Sequence, residues 1–335
     1  MSLDSIIGQP RAVRLLKDFL RTRRVPPGLL FYGPEGTGKM PAAKEFAKAL
    51  NCLDKTANEN LDSCGVCASC VQADKGIHTD ITVVDFAFQA LLEDKEVEKQ
   101  QHINVDTIRQ ACTMAQQKSS GGRYKIFIVD KAETMLPAAG NALLKLLEEP
   151  PERTLWLLLT ANRDAMLSTI NSRSQAVAFS ALNAESVQEI LMRQSFPRNE
   201  AALLARLSAG SVTRALRVRD LLSELANIDD TDPLYPFAVS KLLPRELAAA
   251  RTQAGLMLEL LIESAHAQWK TEQDADRQER LKNAMEKFFE YRRLIGRNVT
   301  PSLLIEAALL ETAGLHLPFV PKDFAGFSPA GSTGE

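Results

Sequence analysis

The sequence lacks the features that would place it in a membrane, on a secretory route or in a charge-driven complex. Its apolar runs, such as Leu155 to Leu159, fall far short of the ~20 residues needed to span a bilayer. The opening residues, Met1-Ser2-Leu3-Asp4-Ser5, carry neither the basic nor the apolar region of a signal peptide, so a cytoplasmic protein without membrane contact is expected. Lys and Arg number 40 against 42 Asp and Glu, a net charge of −2, which removes any global electrostatic case for nucleic-acid or membrane binding. No internal repeat is evident. Cysteines number five, and in a reducing compartment clustered cysteines point to metal rather than disulfides.

The chain does have the means to bury a core. With 335 residues, 45% of them hydrophobic, it is long enough for two or three domains and too apolar to be disordered. Leu29 to Tyr32 reads as a buried strand, followed by Gly33-Pro34-Glu35-Gly36-Thr37-Gly38-Lys39 and then a helical pattern over 41–50. Strand, glycine-rich loop and helix form the context of a phosphate-binding P-loop. Glycines let backbone N–H groups converge on an anion, and the helix N-terminus adds the positive end of its dipole. Lys39 would reach the β- and γ-phosphates. The next position calls for a hydroxyl on Mg²⁺ and holds Met40, whose thioether is a poor ligand for a hard cation.

Further strands are predicted over Ile81–Asp85, Tyr124–Asp130, Leu155–Thr160 and Gln175–Phe179, separated by helical patterns over 105–117 and 137–149. The charged stretch 89–102 reads as an exposed loop or an extra helix. Strands alternating with helices imply a parallel α/β sheet of five strands. Asp130 ends the third strand, where a P-loop enzyme places an Mg²⁺-holding carboxylate, although a strand-end helix cap is the simpler alternative. The following position, often a catalytic Glu, holds Lys131; Glu133, two residues on, is expected to point elsewhere. Asn162 lies just past the fourth strand, at the carboxyl edge where doubly wound folds bind ligands.

Between the P-loop helix and the second strand lies Cys64-Gly65-Val66-Cys67-Ala68-Ser69-Cys70. Two overlapping Cys-x-x-Cys pairs converge thiolates on one point, and a structural Zn²⁺ needs a fourth ligand. Cys52 is the natural fourth, with His78 and Cys112 as competitors. Residues 5–24 form an amphipathic helix whose outer face carries Arg11, Arg14, Lys17, Arg21, Arg23 and Arg24. It reads as a solvated basic face, with a nucleic-acid contact as the alternative. After Ser180 the pattern is wholly helical, over 184–194, 199–208 and 211–223; a polar break at 229–233 is followed by long helices to Leu310. Lys282, Lys287, Arg292, Arg293 and Arg297, mixed with Phe288, Phe289 and Tyr291, again read as a solvated basic face.

Together these residues resemble the AAA+ clamp-loader family of bacterial DNA polymerase III over about the first two-thirds of the chain. Ile6-Ile7-Gly8-Gln9 resembles its adenine-side segment. The cysteines 52, 64, 67 and 70 resemble its zinc module, and Asn141-Ala142-Leu143-Leu144-Lys145 with Leu147-Glu148-Glu149-Pro150-Pro151 its most recognisable signature. Ser172-Arg173-Ser174 resembles the Ser-Arg-Cys element, whose arginine reaches the nucleotide of a neighbouring subunit. The resemblance implies an AAA+ P-loop domain over 1–180 with a zinc insertion at 52–70. A three-helix lid over 181–228, an all-helical collar over 229–320 and a disordered tail over 321–335 would follow.

The family contains ATP-hydrolysing gamma/tau subunits and a stator that lends its arginine in trans. Met40, Lys131 and the arginine of the Gly210-Ser211-Val212-Thr213-Arg214 segment, one residue later than in the active subunit, are three departures at the nucleotide site. They favour the stator, with Arg173 as its finger and a degenerate loop of Gly33, Gly36, Thr37, Gly38, Lys39, Met40 and Asp130 that holds ATP or ADP poorly. The implied partners are gamma/tau and delta subunits, and through the complex the sliding clamp and primer-template DNA. An active gamma/tau ATPase is the alternative; a zinc-bearing nucleic-acid-binding adaptor on a non-catalytic scaffold is a second.

Overall fold

The computed structural model describes residues 2–319 apart from 98–99, 122, 231, 313–314, 316 and 318. The expected disordered tail, 321–335, lies outside the described residues. The chain packs as two compact units. One comprises Met1–Ile190 with Ala209–Val212; the other comprises Leu191–Ser208 with the chain from Thr213 on.

The first unit is built on five parallel strands, β1 Gly28–Tyr32, β2 Ile81–Val84, β3 Lys125–Val129, β4 Thr154–Thr160 and β5 Gln175–Ala178, in the order β2-β3-β4-β1-β5. A parallel sheet covered on both faces needs near-continuous apolar strands, and β3 and β4 are buried at every position. Successive side chains alternate between the faces. Leu29, Phe31 and Leu157 join one core with Phe46 and Leu16; Leu30, Trp156 and Leu158 join the other with Ile108 and Leu143. Phe127 and Trp156 stack across neighbouring strands in that second core, ring centroids 4.6 Å apart.

The helices of this unit are α1 Pro10–Thr22, α2 Lys39–Asn51, α3 Lys55–Glu59, α4 Ala68–Asp74, α5 Phe86–Glu93, α6 Val105–Ala115, α7 Pro137–Glu148 and α8 Ser168–Arg173. The start of the charged segment 89–102 is helical, because Asp85 caps α5 by accepting from Phe88 N–H and the helix runs on to Glu93. Asn104 caps α6 in the same way, and Pro137 occupies the first turn of α7, where its missing N–H costs nothing.

α9 Ala184–Arg193 leads out of this unit. The rest is helical: α10 Arg198–Leu207, α11 Val212–Leu225, α12 Tyr235–Ser240, α13 Leu247–Thr271, α14 Ala275–Leu294 and α15 Pro301–Glu311. The second unit buries Met257, Leu258, Leu261, Phe288, Leu304 and Ile305. The basic side chains of α14 are partly neutralised there, Arg292 by Glu259 and Lys287 by Glu311. Among the described residues no helix is long and apolar enough to cross a membrane.

Candidate functional site

The glycine-rich loop leaves the carboxyl end of β1 and enters α2. Gly33 has φ +143°, and a Cβ there would lie 1.9 Å from the Phe179 carbonyl oxygen, so the close approach of the chain leaving β5 admits nothing but glycine. Gly36 and Gly38 also have positive φ, and around Gly38, the N-cap of α2, a Cβ would meet nothing within 4 Å. The loop therefore keeps an open concavity at a helix N-terminus. Thr37 is buried, its hydroxyl donating to Pro34 O at 2.8 Å. Gln9 locks the loop to the sheet: its Nε2 donates to Thr37 O and Ser180 O, and its Oε1 accepts from Ser180 N–H.

Lys39 Nζ donates to Gly33 O at 2.5 Å and Pro34 O at 2.6 Å. Burial lowers its pKa, against the opposing pull of Glu133, Glu35 and Asp130. Met40 packs against the core formed by α1, α2 and the sheet and offers the loop no oxygen. Asp130, at the carboxyl end of β3, has its pKa raised by burial and by Asp85 and Glu133, with the Lys131 backbone and charge opposing. Lys131 turns its ammonium over the Phe86 ring, 5.7 Å from the centroid.

Glu133 departs from expectation. Lys131 takes a left-handed φ of +47°, and the single 3-10 turn that follows, Ala132–Thr134, brings Glu133 back over the sheet edge. Its Oε1 accepts from Ala161 N–H at 3.1 Å, just past β4, while its Oε2 is buried without a hydrogen-bond partner among the described residues. It heads the acidic side chains acting on Lys39. Asn162, at the same edge, spends its side chain capping the turn at Asp164.

Arg173 ends α8 one residue before β5, at the opposite edge of the sheet. β5 runs parallel to β1, with Leu29 paired to Gln175, so Arg173 stands at the amino ends of the strands and the loop at their carboxyl ends. Five strand residues separate the two edges, about 15 Å. Arg173 Nε pairs with Glu148 at 2.7 Å, and its Nη1 donates to Thr169 O and Ser172 Oγ. The side chain remains 38% exposed, held by these bonds and open to a partner. Arg214 lies on α11 in the second unit, paired with Glu259 and donating through Nε to Leu207 O. Its commitment to α13 had no signal in the sequence.

The sulfurs of Cys52, Cys64, Cys67 and Cys70 lie within 4.8 Å of one another, with Cys64 and Cys70 at 3.9 Å. A disulfide would bring two of them to about 2 Å. Four thiolates at about 2.3 Å from one Zn²⁺ would stand about 3.8 Å apart, so the donor set fits a closed tetrahedral site. Backbone amides already point at the sulfurs: Cys64 N–H at Cys52 Sγ, Cys67 N–H at Cys64 Sγ and Cys70 N–H at Cys67 Sγ. Burial opposes ionisation of Cys67, but amides of Leu53 and Cys70 and the neighbouring thiols pull its pKa down to about 6. Burial and the adjacent thiols push Cys70 up instead.

The competing ligands are accounted for. His78 Nδ1 accepts from Asp80 N–H, its Nε2 lies 3.0 Å from Ser69 Oγ, and that hydroxyl donates to Asn51 O. Cys112 sits in α6 against the core, where burial raises its thiol to about 11. The module is tied to the loop helix by Lys48 of α2, buried between Glu45 (2.7 Å) and Asp74 of α4 (2.8 Å).

Comparison with known proteins places this geometry. Residues 8–183 match the family model described as "DNA polymerase III, delta subunit". The DNA polymerase III subunit gamma/tau of Mycobacterium tuberculosis is 33% identical over 248 residues, 72% of this chain and 40% of that protein. The delta' subunit of Bacillus subtilis is 30% identical over 200 residues, 60% of this chain and 56% of that one. The chain thus spans about half or less of the length of these relatives. A DNA polymerase III gamma subunit-related protein of Thermotoga maritima shares the fold, with a TM-score of 0.52 at 18% identity over 88% of this chain and 97% of that one.

Proposed function

The chain belongs to the DNA polymerase III delta subunit family, among the clamp-loader subunits that include gamma/tau and delta', and from that premise we propose that it is the delta-prime, or stator, subunit. It would act in the cytoplasm beside gamma/tau and delta subunits, helping to load the sliding clamp onto primer-template DNA. In this reading residues 1–180 form the P-loop domain, 181–228 the lid and 229–320 the oligomerisation collar. The four cysteines hold a structural Zn²⁺, which supplies folding energy and no chemistry.

The observation that carries the reading is the placement of Arg173. A side chain at the amino ends of the strands cannot serve a phosphate held about 15 Å away at their carboxyl ends in the same chain. It is exposed and oriented by Glu148, so it is suited to a nucleotide held by a neighbour. A guanidinium presents planar donors to charge developing on a γ-phosphate, and needs nothing from its own P-loop to do so. Met40 without a hard oxygen, Lys131 turned onto Phe86 and Arg214 committed to Glu259 support a loop that contributes little hydrolysis of its own. The glycines remain necessary, since Gly33 and Gln9 pack the loop onto the sheet.

The test uses the complex reconstituted with gamma/tau-type and delta-type subunits. Arg173→Ala is expected to suppress hydrolysis at the site it serves on the order of 10³-fold, as for other arginine fingers. Lys39→Ala is expected to leave DNA-stimulated turnover within about twofold. Equal, severe losses from both would overturn the stator reading. Glu133 favours a second reading, an active gamma/tau-type ATPase, because it holds a carboxylate with a partnerless buried oxygen at the carboxyl edge of the sheet, where its charge opposes the lowering of the Lys39 pKa. Turnover by the isolated chain that falls with Glu133→Gln would establish that reading instead.

A further inference from the structure

The amino edge of the first unit holds a feature that the stator reading does not use. The end of α1, the short helix α3 and the turns entering β3 and β4 enclose a cleft of about 1010 Å³. Arg21, Arg23, Lys55, Arg123 and Arg153 line it, in a chain whose net charge is −2. The lining carboxylates are Glu59 and Asp62, and Asp62 is spent on the fold, accepting from Leu3 N–H at 3.0 Å and Ser63 N–H at 2.7 Å. Arg21 pairs with Asp18 and Arg153 with Glu152 at 3.8 Å, whereas Arg23, Lys55 and Arg123 have no ion pair among the described residues. Positive charge is therefore concentrated here against the balance of the molecule.

Two further observations point to a ligand. Seven described non-glycine residues have positive φ, and three of them, Arg23 (+54°), Leu61 (+57°) and Arg153 (+55°), line this one cleft. Glycine adopts that backbone at less cost, so two arginines at such positions mark a place where the side chain matters more than local ease of folding. The cleft also contains Phe19 and Tyr124. The backbone of Tyr124 is anchored, since Asn51 accepts from its N–H at 2.9 Å and donates to its carbonyl at 3.0 Å. Cations around partly exposed rings suit a phosphodiester chain whose bases can be stacked. In a duplex the bases are already stacked on one another, and a cleft of this volume cannot enclose both strands.

We propose that this cleft binds a single strand of nucleic acid, with phosphates on Arg23, Arg123 and Arg153 and a base against Tyr124. The site lies at the strand edge opposite the glycine-rich loop and is independent of any nucleotide chemistry at that loop. It gives part of the basic face of α1 a use beyond solvation.

The experiment measures anisotropy of a fluorescein-labelled 15-nucleotide oligo-dT with the full chain across a series of NaCl concentrations. Arg23→Glu/Arg123→Glu is expected to weaken binding at least tenfold and to flatten the slope of log K against log salt by about 1.4 for the two lost cations. Tyr124→Leu is expected to weaken binding roughly fivefold or more while leaving that slope unchanged. Lys39→Ala is expected to have no effect.

An equal loss from Arg11→Glu/Lys17→Glu, the same charge change on α1 outside the cleft, would reduce the effect to a diffuse field and overturn the proposal. Displacement of the oligonucleotide by an equal concentration of inorganic pyrophosphate would show a small-anion site and overturn it too. Should the double variant fail to give a native circular dichroism spectrum, Arg123→Gln replaces it, with an expected loss of about threefold and a slope change of about 0.7. Absence of measurable binding by the unmodified chain at low salt also refutes the assignment.

Discussion

Lys48→Met tests how the glycine-rich loop is coupled to the cysteine module. Lys48 lies near the end of α2, the helix that begins at the loop, and its Nζ bridges Glu45 on its own helix and Asp74 on α4. Lys48 and Glu45 are almost fully buried, with side-chain exposures of 1% and 6%, whereas Asp74 is 43% exposed. Methionine keeps the aliphatic stem and removes the charge, so the cost comes from Glu45, left ionised and unpaired in the interior. Breaking such a buried pair costs about 3–5 kcal/mol, while the exposed contact with Asp74 adds about 0.2–1 kcal/mol after solvent screening. We expect a net loss of about 3–6 kcal/mol. With an m-value of about 3 kcal/mol/M, the urea midpoint would fall by about 1–2 M.

Trp156, buried in the sheet, is the reporter, in a Trp269→Phe background that silences the tryptophan of the other unit. Glu45→Gln/Lys48→Met removes both charges and is expected to recover at least half of the loss, because no uncompensated ion remains. Burial lowers the Lys48 pKa, but the bonds from Asp74 and Glu45 outweigh it and raise the value above the ordinary 10.5. A raised lysine pKa means that the stabilisation is complete below 10.5 and is lost as pH rises through the folded value. The gap between wild type and Lys48→Met should therefore be constant from pH 6 to about 9 and close above pH 10.5. A cost under about 1 kcal/mol, or a double variant as unstable as the single one, would refute the reasoning.

Protein purified without chelator should contain one zinc per chain, and removing it should lower the melting temperature of the first unit by several degrees; a metal-free protein of equal stability would end the zinc assignment. In the stripped protein Cys67, with its thiol near 6, should be the first of the four cysteines to react with iodoacetamide at pH 7, as read by peptide mass spectrometry. Gly33→Ala, whose Cβ would overlap the Phe179 carbonyl, should cost more than about 4 kcal/mol or prevent folding, whereas Gly38→Ala, in open space, should cost about 1–2 kcal/mol from its positive φ alone. Glu148→Gln should lower turnover of the assembled complex by about two- to fivefold at unchanged KM, the worth of a half-exposed ion pair that orients Arg173. No change in turnover would remove Glu148 from the account.

Much of this was legible in the chain itself. Strands buried on both faces must be near-continuous apolar runs, so β1, β3 and β4 announce themselves in LLFY, IFIV and LWLLL. Glycines at fixed spacing between a strand and a helix identify the loop, and closely spaced cysteines mark a cluster that could hold a metal ion. These are local signals, carried by residues within a few positions of one another.

The tertiary structure decided the questions that depend on residues far apart in sequence. It assembled Cys52 with Cys64, Cys67 and Cys70 and engaged His78 elsewhere, because Ser69 and Asp80 occupy both ring nitrogens. It turned Glu133 back over the sheet edge to Ala161 N–H through one left-handed residue, which no periodicity encodes. It set Arg173 and the glycine-rich loop at opposite edges of one sheet, although both adjoin strands that pair with each other. Sequence alone determined which chemical groups this protein carries. Strand direction and order decided that its arginine faces away from its own P-loop, because in a parallel sheet the segments entering the strands and those leaving them lie at opposite edges.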